Sequence, residues 1–168
     1  MKPERYPGME ERLENVLVIN TLSKRSSMPG YRSGFIAGDP VLTAGLKRYR
    51  PNVGVAPIEF IQRAAAVAWG DEEHVVAVRE RYREKRRVLL PALQALGLRE
   101  AGGDATFFLW LSLPDGVTSS EAFAMALLEK GIVVAPGAYF GPEGEGFVRV
   151  ALVPTVERCA EAATRLSP

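Results

Sequence analysis

Val16-Leu17-Val18-Ile19-Asn20 runs straight into Thr21-Leu22-Ser23-Lys24-Arg25-Ser26-Ser27-Met28-Pro29-Gly30-Tyr31-Arg32-Ser33-Gly34, and the rest of the chain is read around this stretch. An apolar, β-branched run ends at a short polar segment that carries one lysine among hydroxyls, with an arginine eight residues downstream. Such a place suits a buried lysine, because a strand end fixes its backbone while Gly30 and Gly34 let the loop turn close to a ligand. Thr21, Ser23, Ser26 and Arg32 form the donor set that a phosphate monoester needs, since phosphate brings about −1.5 to −2 charges and three strong acceptors. The lysine is then left for covalent chemistry. The plain alternative is an exposed loop lysine with an arginine nearby.

Composition narrows the partners. The 168 residues are enough for one ordinary domain with a sizeable core. Lys plus Arg number 21 against 20 Asp plus Glu, and a net charge of +1 gives no field to attract nucleic acid or an anionic membrane. Cys159 stands alone, which excludes an internal disulfide, and with the solitary His74 it argues against a structural zinc site; no metal is expected. A reducing cytoplasm fits this usage. The Met1–Pro7 start does not read as a signal peptide, and no apolar run approaches the ~20 residues of a membrane span.

Along the chain, a short helix is expected at Met9–Glu14, a buried strand at Val16–Asn20, and a second strand at Ser33–Ala37. A two-stranded pair is marginal in water and calls for cover on one edge. Asp39-Pro40 starts a helix through Val41–Tyr49, residues 50–54 break it, and Pro57–Trp69 forms the next, with Ile58, Ile61, Ala65 and Ala68 on one side. Asp71 opens a long helix, Glu72 to Leu96, about 37 Å at 1.5 Å per residue. Val75, Tyr82, Leu89 and Leu96 mark its packed side, its arginines are read as a solvated face, and Pro91 is expected to kink or divide it near Arg87. Short strands follow at Leu98–Glu100, Thr106–Leu113, Ile132–Ala135 and Phe147–Leu152. Thr118 and Glu121 have capping-box spacing for a helix to Lys130, and Thr155 caps the last helix. Phe107, Phe108 and Trp110 are read as core, and His74 as surface. Ala135–Gly141 reads as a hairpin loop rather than a nucleotide site, because no helix opens after it. Arg149, alone in the apolar strand 147–152, is either the outward member of the alternation or a ligand-binding group.

The residues also carry a resemblance. Thr21-Leu22-Ser23-Lys24 followed by Pro29-Gly30-Tyr31-Arg32-Ser33-Gly34 resembles the cofactor-lysine segment of the class I/II aminotransferases, the fold-type I group that uses pyridoxal phosphate. Ser23-Lys24-Arg25-Ser26 and the run Arg32–Asp39 are most similar to the branch acting on succinyl-diaminopimelate, aspartate and related acidic or dibasic amino acids. The resemblance runs from about residue 3 to the end of the chain and corresponds to the C-terminal half of such enzymes, which need roughly twice this length.

It implies an α/β fold in which residues 1–70 are part of the large cofactor domain and 71–168 the linking helix with the small C-terminal domain. It also implies that Lys24 forms the imine with pyridoxal phosphate and later moves the substrate's α-proton. Thr21, Ser23 and Arg32 match phosphate-side positions, although Ser23 and Arg25 could equally face solvent or cap a turn. Arg149 matches the arginine that holds the substrate α-carboxylate by a bidentate pair, and the 135–141 loop borders the substrate pocket. In the family an acidic residue before the lysine pairs with the pyridinium nitrogen. Only 23 residues precede Lys24, and Glu4 with Tyr6 is a poor substitute. The expected function is therefore amino-group transfer between an amino acid and a 2-oxo acid, incomplete in the lone chain. A homodimer or a partner chain would supply the rest. The alternative is a non-catalytic oligomeric or partner-binding module derived from an aminotransferase.

Overall fold

The computed structural model describes residues 14–103 and 105–167, so the helix expected at Met9–Glu14 falls, Glu14 apart, outside the described residues, as do Glu4 and Tyr6. The chain divides into two compact units, Met1–Val78 and Arg79–Pro168.

In the first unit, β1 (Leu17–Thr21) and β2 (Gly34–Gly38) pair antiparallel, with Ile19 opposite Ile36 and Thr21 opposite Gly34. β1 was expected to be buried. Instead it alternates, and Ile19 is 72% and Ile36 47% exposed. A pair with no third strand among the described residues has one face without cover. Between the strands lie a one-turn helix, α1 (Leu22–Arg25), and a 3-10 turn at Pro29–Tyr31. Helix α2 (Pro40–Tyr49) starts as expected: Asp39 Oδ1 accepts from Val41 N at 2.7 Å and Leu42 N at 3.1 Å. Helix α3 (Glu59–Gly70) buries Ala65 and Ala68 against Leu22, whereas Ile58 precedes the helix and is exposed.

Helix α4 (Glu73–Ala95) starts where Asp71 Oδ1 accepts from Glu73 N at 2.8 Å, and it runs unbroken through Pro91. Proline at that position costs roughly 3 kcal/mol through a lost backbone bond and a clash. The flanking Leu89 and Leu93 are buried, and each such side chain contributes about 1.5–3 kcal/mol, enough together to keep the helix continuous.

The second unit is built on a four-stranded antiparallel sheet, ordered β3 (Arg99–Glu100), β4 (Phe108–Ser112), β6 (Phe147–Ala151), β5 (Ala135–Pro136). Leu109, Leu111, Val148 and Val150 fill one face and join Leu89, Leu93 and, from α6 (Val156–Leu166), Cys159 and Leu166 in a single core. Phe108 and Trp110 alternate with Leu109 and Leu111, so they stand on the other face rather than in the core. Helix α5 (Ser120–Glu129) is capped by Ser119, whose Oγ accepts from Ala122 N at 3.2 Å. The expected cap was Thr118 with Glu121. The helix instead opens one residue later, and Glu145 Oε1 accepts from Ser120 N at 2.6 Å. β5 starts later than the expected Ile132 for a local reason. Ile132 N bonds to Leu127 O and Gly131 N to Leu128 O, a Schellman ending that uses residues 131–132 and places Gly131 at φ 73°. Thr155 caps α6 as expected.

Candidate functional site

Thr21 closes β1 and caps α1: its Oγ1 accepts from Ser23 N at 3.2 Å, and its single proton is shared between Ser33 O at 3.0 Å and Ser23 Oγ at 3.1 Å. Leu22 next to it is fully buried against Ala65 and Ala68, with Met28 and Trp69 packed around. On the other side of Lys24, the Arg25 guanidinium bonds to Ala68 O at 2.9 Å and Glu72 Oε1 at 2.7 Å and lies 4.9 Å from the Trp69 ring centroid. Arg25 is thereby committed to the scaffold, and Ser26, which was in the expected phosphate set, is buried and accepts from it at 3.2 Å. Sequence reasoning left Arg25 to solvent or a turn cap, because the partners that hold it lie more than 40 residues away, at Ala68 and Glu72.

Lys24 therefore projects from a turn whose two neighbours are anchored, and it is exposed rather than buried. Arg32 has a left-handed backbone, φ 49° and ψ 38°, and its Nη1 bonds Pro29 O at 3.1 Å while the side chain stays exposed. Gly34 serves the sheet, not a ligand: a Cβ there would meet Asn20 O at 2.6 Å. Thr21, Ser23, Lys24 and Arg32 together present two hydroxyls and two cations within a dozen residues, a donor chemistry that fits the phosphate end of pyridoxal phosphate. His74, expected at the surface, is half-buried; its Nδ1 lies 2.8 Å from Asp71 Oδ2, and its buried Nε2 has no hydrogen-bond partner among the described residues. The His74 contact is the main reason the Asp71 carboxyl sits below the usual range.

In the second unit, Arg149 pairs across the sheet with Trp110 on one side and Ala135 on the other. Its guanidinium carbon lies 4.3 Å from the Phe108 ring centroid and 4.5 Å from that of Phe140. Among the described residues no carboxylate pairs with it. Strand β6 thus carries this cation on the aromatic face of the sheet while Val148 and Val150 hold the backbone in the core.

The 137–146 loop is tied rather than loose. Gly137 and Gly144 touch so closely that a Cβ on Gly137 would sit 1.9 Å from Gly144 O. Ala138 N donates to the fully buried Ser120 Oγ at 3.2 Å, and Glu145 accepts from Ser120 N and from Gly146 N at 3.1 Å. Those backbone donors, Ser120 N first, hold the Glu145 carboxyl below the usual range. Nothing in the local sequence flagged Glu145, because its partner is 25 residues away.

The Aminotransferase class I and II family model matches residues 2–166. The chain belongs to the class I and II aminotransferases. It is 39% identical over 148 residues to LL-diaminopimelate aminotransferase of Aquifex aeolicus, covering 88% of this chain and 38% of that protein. It is 39% identical over 154 residues to the 4-dedimethylamino-4-oxo-anhydrotetracycline transaminase OxyQ of Streptomyces rimosus, covering 92% and 42%. A probable N-succinyldiaminopimelate aminotransferase from Thermus thermophilus superposes with a TM-score of 0.83 at 34% identity, over 98% of this chain and 44% of that one. An aminotransferase from Neisseria meningitidis does so with a TM-score of 0.80 at 42% identity, over 89% and 39%. The chain thus spans well under half the length of these aminotransferases. Members of the family depend on pyridoxal phosphate.

Proposed function

We propose that this chain carries the lysine-bearing part of a cytoplasmic, pyridoxal-phosphate-dependent aminotransferase that moves an amino group between an amino acid and a 2-oxo acid, with diaminopimelate-type substrates the first to test. The observation that carries the reading is Lys24, projecting from a turn pinned on one side by buried Leu22 and on the other by Arg25. When bound, the cofactor supplies an electron sink that acidifies the substrate's α-proton. Thr21, Ser23 and Arg32 would hold its phosphate, and Lys24 Nζ would stand at its reactive end and move the substrate's α-proton. Arg149 receives the substrate α-carboxylate along the guanidinium edge. Proton transfer needs a neutral amine, which desolvation favours. A partner subunit or further polypeptide would supply the wall over the exposed Lys24.

Incubation with pyridoxal phosphate, borohydride reduction and peptide mass spectrometry test this directly. Modification centred on Lys24 and lost in Lys24→Ala is expected. Equal modification of Lys47, Lys85 and Lys130 overturns the assignment.

A second reading, an oligomeric or partner-binding module without turnover, is favoured by one observation: the paired Ile19 and Ile36 share an exposed face of the β1–β2 sheet. Sedimentation of the chain and of Ile19→Asp distinguishes it, since self-association through that face requires the variant to dissociate. A monomer that takes up no cofactor counts against both readings.

A further inference from the structure

We propose that Phe108 and Phe140 are positioning residues for Arg149, holding its guanidinium over two rings so that its N–H edge is presented to a carboxylate. The proposal rests on the reading of Arg149 as the carboxylate-binding group. A free arginine side chain loses about 2 kcal/mol of rotamer freedom when it is fixed, so an arginine already held binds an anion more tightly than a loose one. An acidic neighbour would hold it too, but would compete for the same N–H groups. Aromatic rings attract the cation through their faces and leave its edge available. Arg149 has such neighbours: two rings at 4.3 and 4.5 Å, and no carboxylate partner among the described residues.

Each ring is itself held from a second direction. Phe108 packs on Phe107 with centroids 4.1 Å apart, and Phe140 meets Trp110 edge-on at 5.5 Å. Phe140 also ends the 3-10 turn Gly137–Phe140, which the Gly137–Gly144 contact and the Ser120–Ala138 bond fix in place. The cross-strand neighbour on the β5 side is Ala135, whose methyl carries no group that could compete for the guanidinium. Phe140 nevertheless remains 49% exposed, more than its place in a core would require.

The test uses the full chain labelled for arginine side-chain NMR, with 2-oxoglutarate as the carboxylate probe. In the wild type the Arg149 guanidinium protons are expected upfield of the other arginines by ring-current shielding. Phe108→Leu and Phe140→Leu each reduce that shift and weaken 2-oxoglutarate binding at least about twofold, the lower end of what one cation–π contact supplies. Phe108→Tyr and Phe140→Tyr, which keep the ring, restore both, so a general folding defect is distinguished from lost positioning. Shielding or affinity unchanged in the leucine variants overturns the proposal. Full shielding with no 2-oxoglutarate binding, or binding that Arg149→Lys leaves unchanged, overturns the carboxylate reading instead and removes the positioning role with it.

Discussion

Asp39 gathers three backbone donors on one carboxylate, Asn15 N at 2.7 Å together with Val41 N and Leu42 N, and it is almost fully buried while doing so. These bonds, Asn15 first, hold its carboxyl below the usual range. A carboxylate with a depressed folded-state pKa stabilises the fold fully above its unfolded pKa, and that stabilisation is lost as pH falls through the folded value. Thermal melts from pH 7 to pH 3 are expected to show stability falling below about pH 4, the unfolded aspartate range. In Asp39→Asn, which keeps a capping oxygen but no charge, the acid-induced fall should be shallower; an unchanged pH profile would remove Asp39 from the acid response. Asp39 was legible because N-cap chemistry is local: an Asp before Pro announces a helix start. Arg149 was legible as a cation in an apolar strand, but the two rings beside it were not. Phe108 and Phe140 are brought to it by strand pairing and by a loop tied from 18 residues away.

At the scale of the element, the long helix separates propensity from packing. Pro91 argued for a kink or a division, and α4 is not divided there, with Leu89 and Leu93 on either side held in the core. Replacing Pro91 by alanine restores a backbone donor without touching that core. Urea unfolding should then show a gain of about 1–3 kcal/mol. A loss of stability would mean that the helix depends on the restricted backbone or the ring of the proline. The 137–146 loop makes the complementary point. Its glycines suggested freedom, but the contact between Gly137 and Gly144 requires the missing side chains for closure. Gly137→Ala is expected to open the loop, lower the melting temperature and erase the upfield shift of the Arg149 protons, which ties the loop to the arginine it serves. A folded Gly137→Ala variant with the shift intact would separate the two.

For the whole molecule, the antiparallel sheet of the second unit, its core and its capped helices follow from patterns of period 2 and 3.6 that any local reading finds. The exposure of Lys24, Ile19 and Ile36 does not, because what covers a surface is a property of neighbours rather than of the strand or turn that bears it. The motif around Lys24 belongs to enzymes of which this chain spans 38–44% in the proteins of Aquifex, Streptomyces and Thermus. In this chain buried Leu22 and the bonded Arg25 fix the backbone around Lys24, whose side chain is exposed. Borohydride reduction of the chain mixed with pyridoxal phosphate, read by peptide mass spectrometry, bears on this most directly. Selective labelling of Lys24, weakened in Arg32→Ala and absent in Lys24→Ala, is the expected result. Labelling of Lys47, Lys85 and Lys130 to the same extent as Lys24, unaffected by Arg32→Ala, would contradict it.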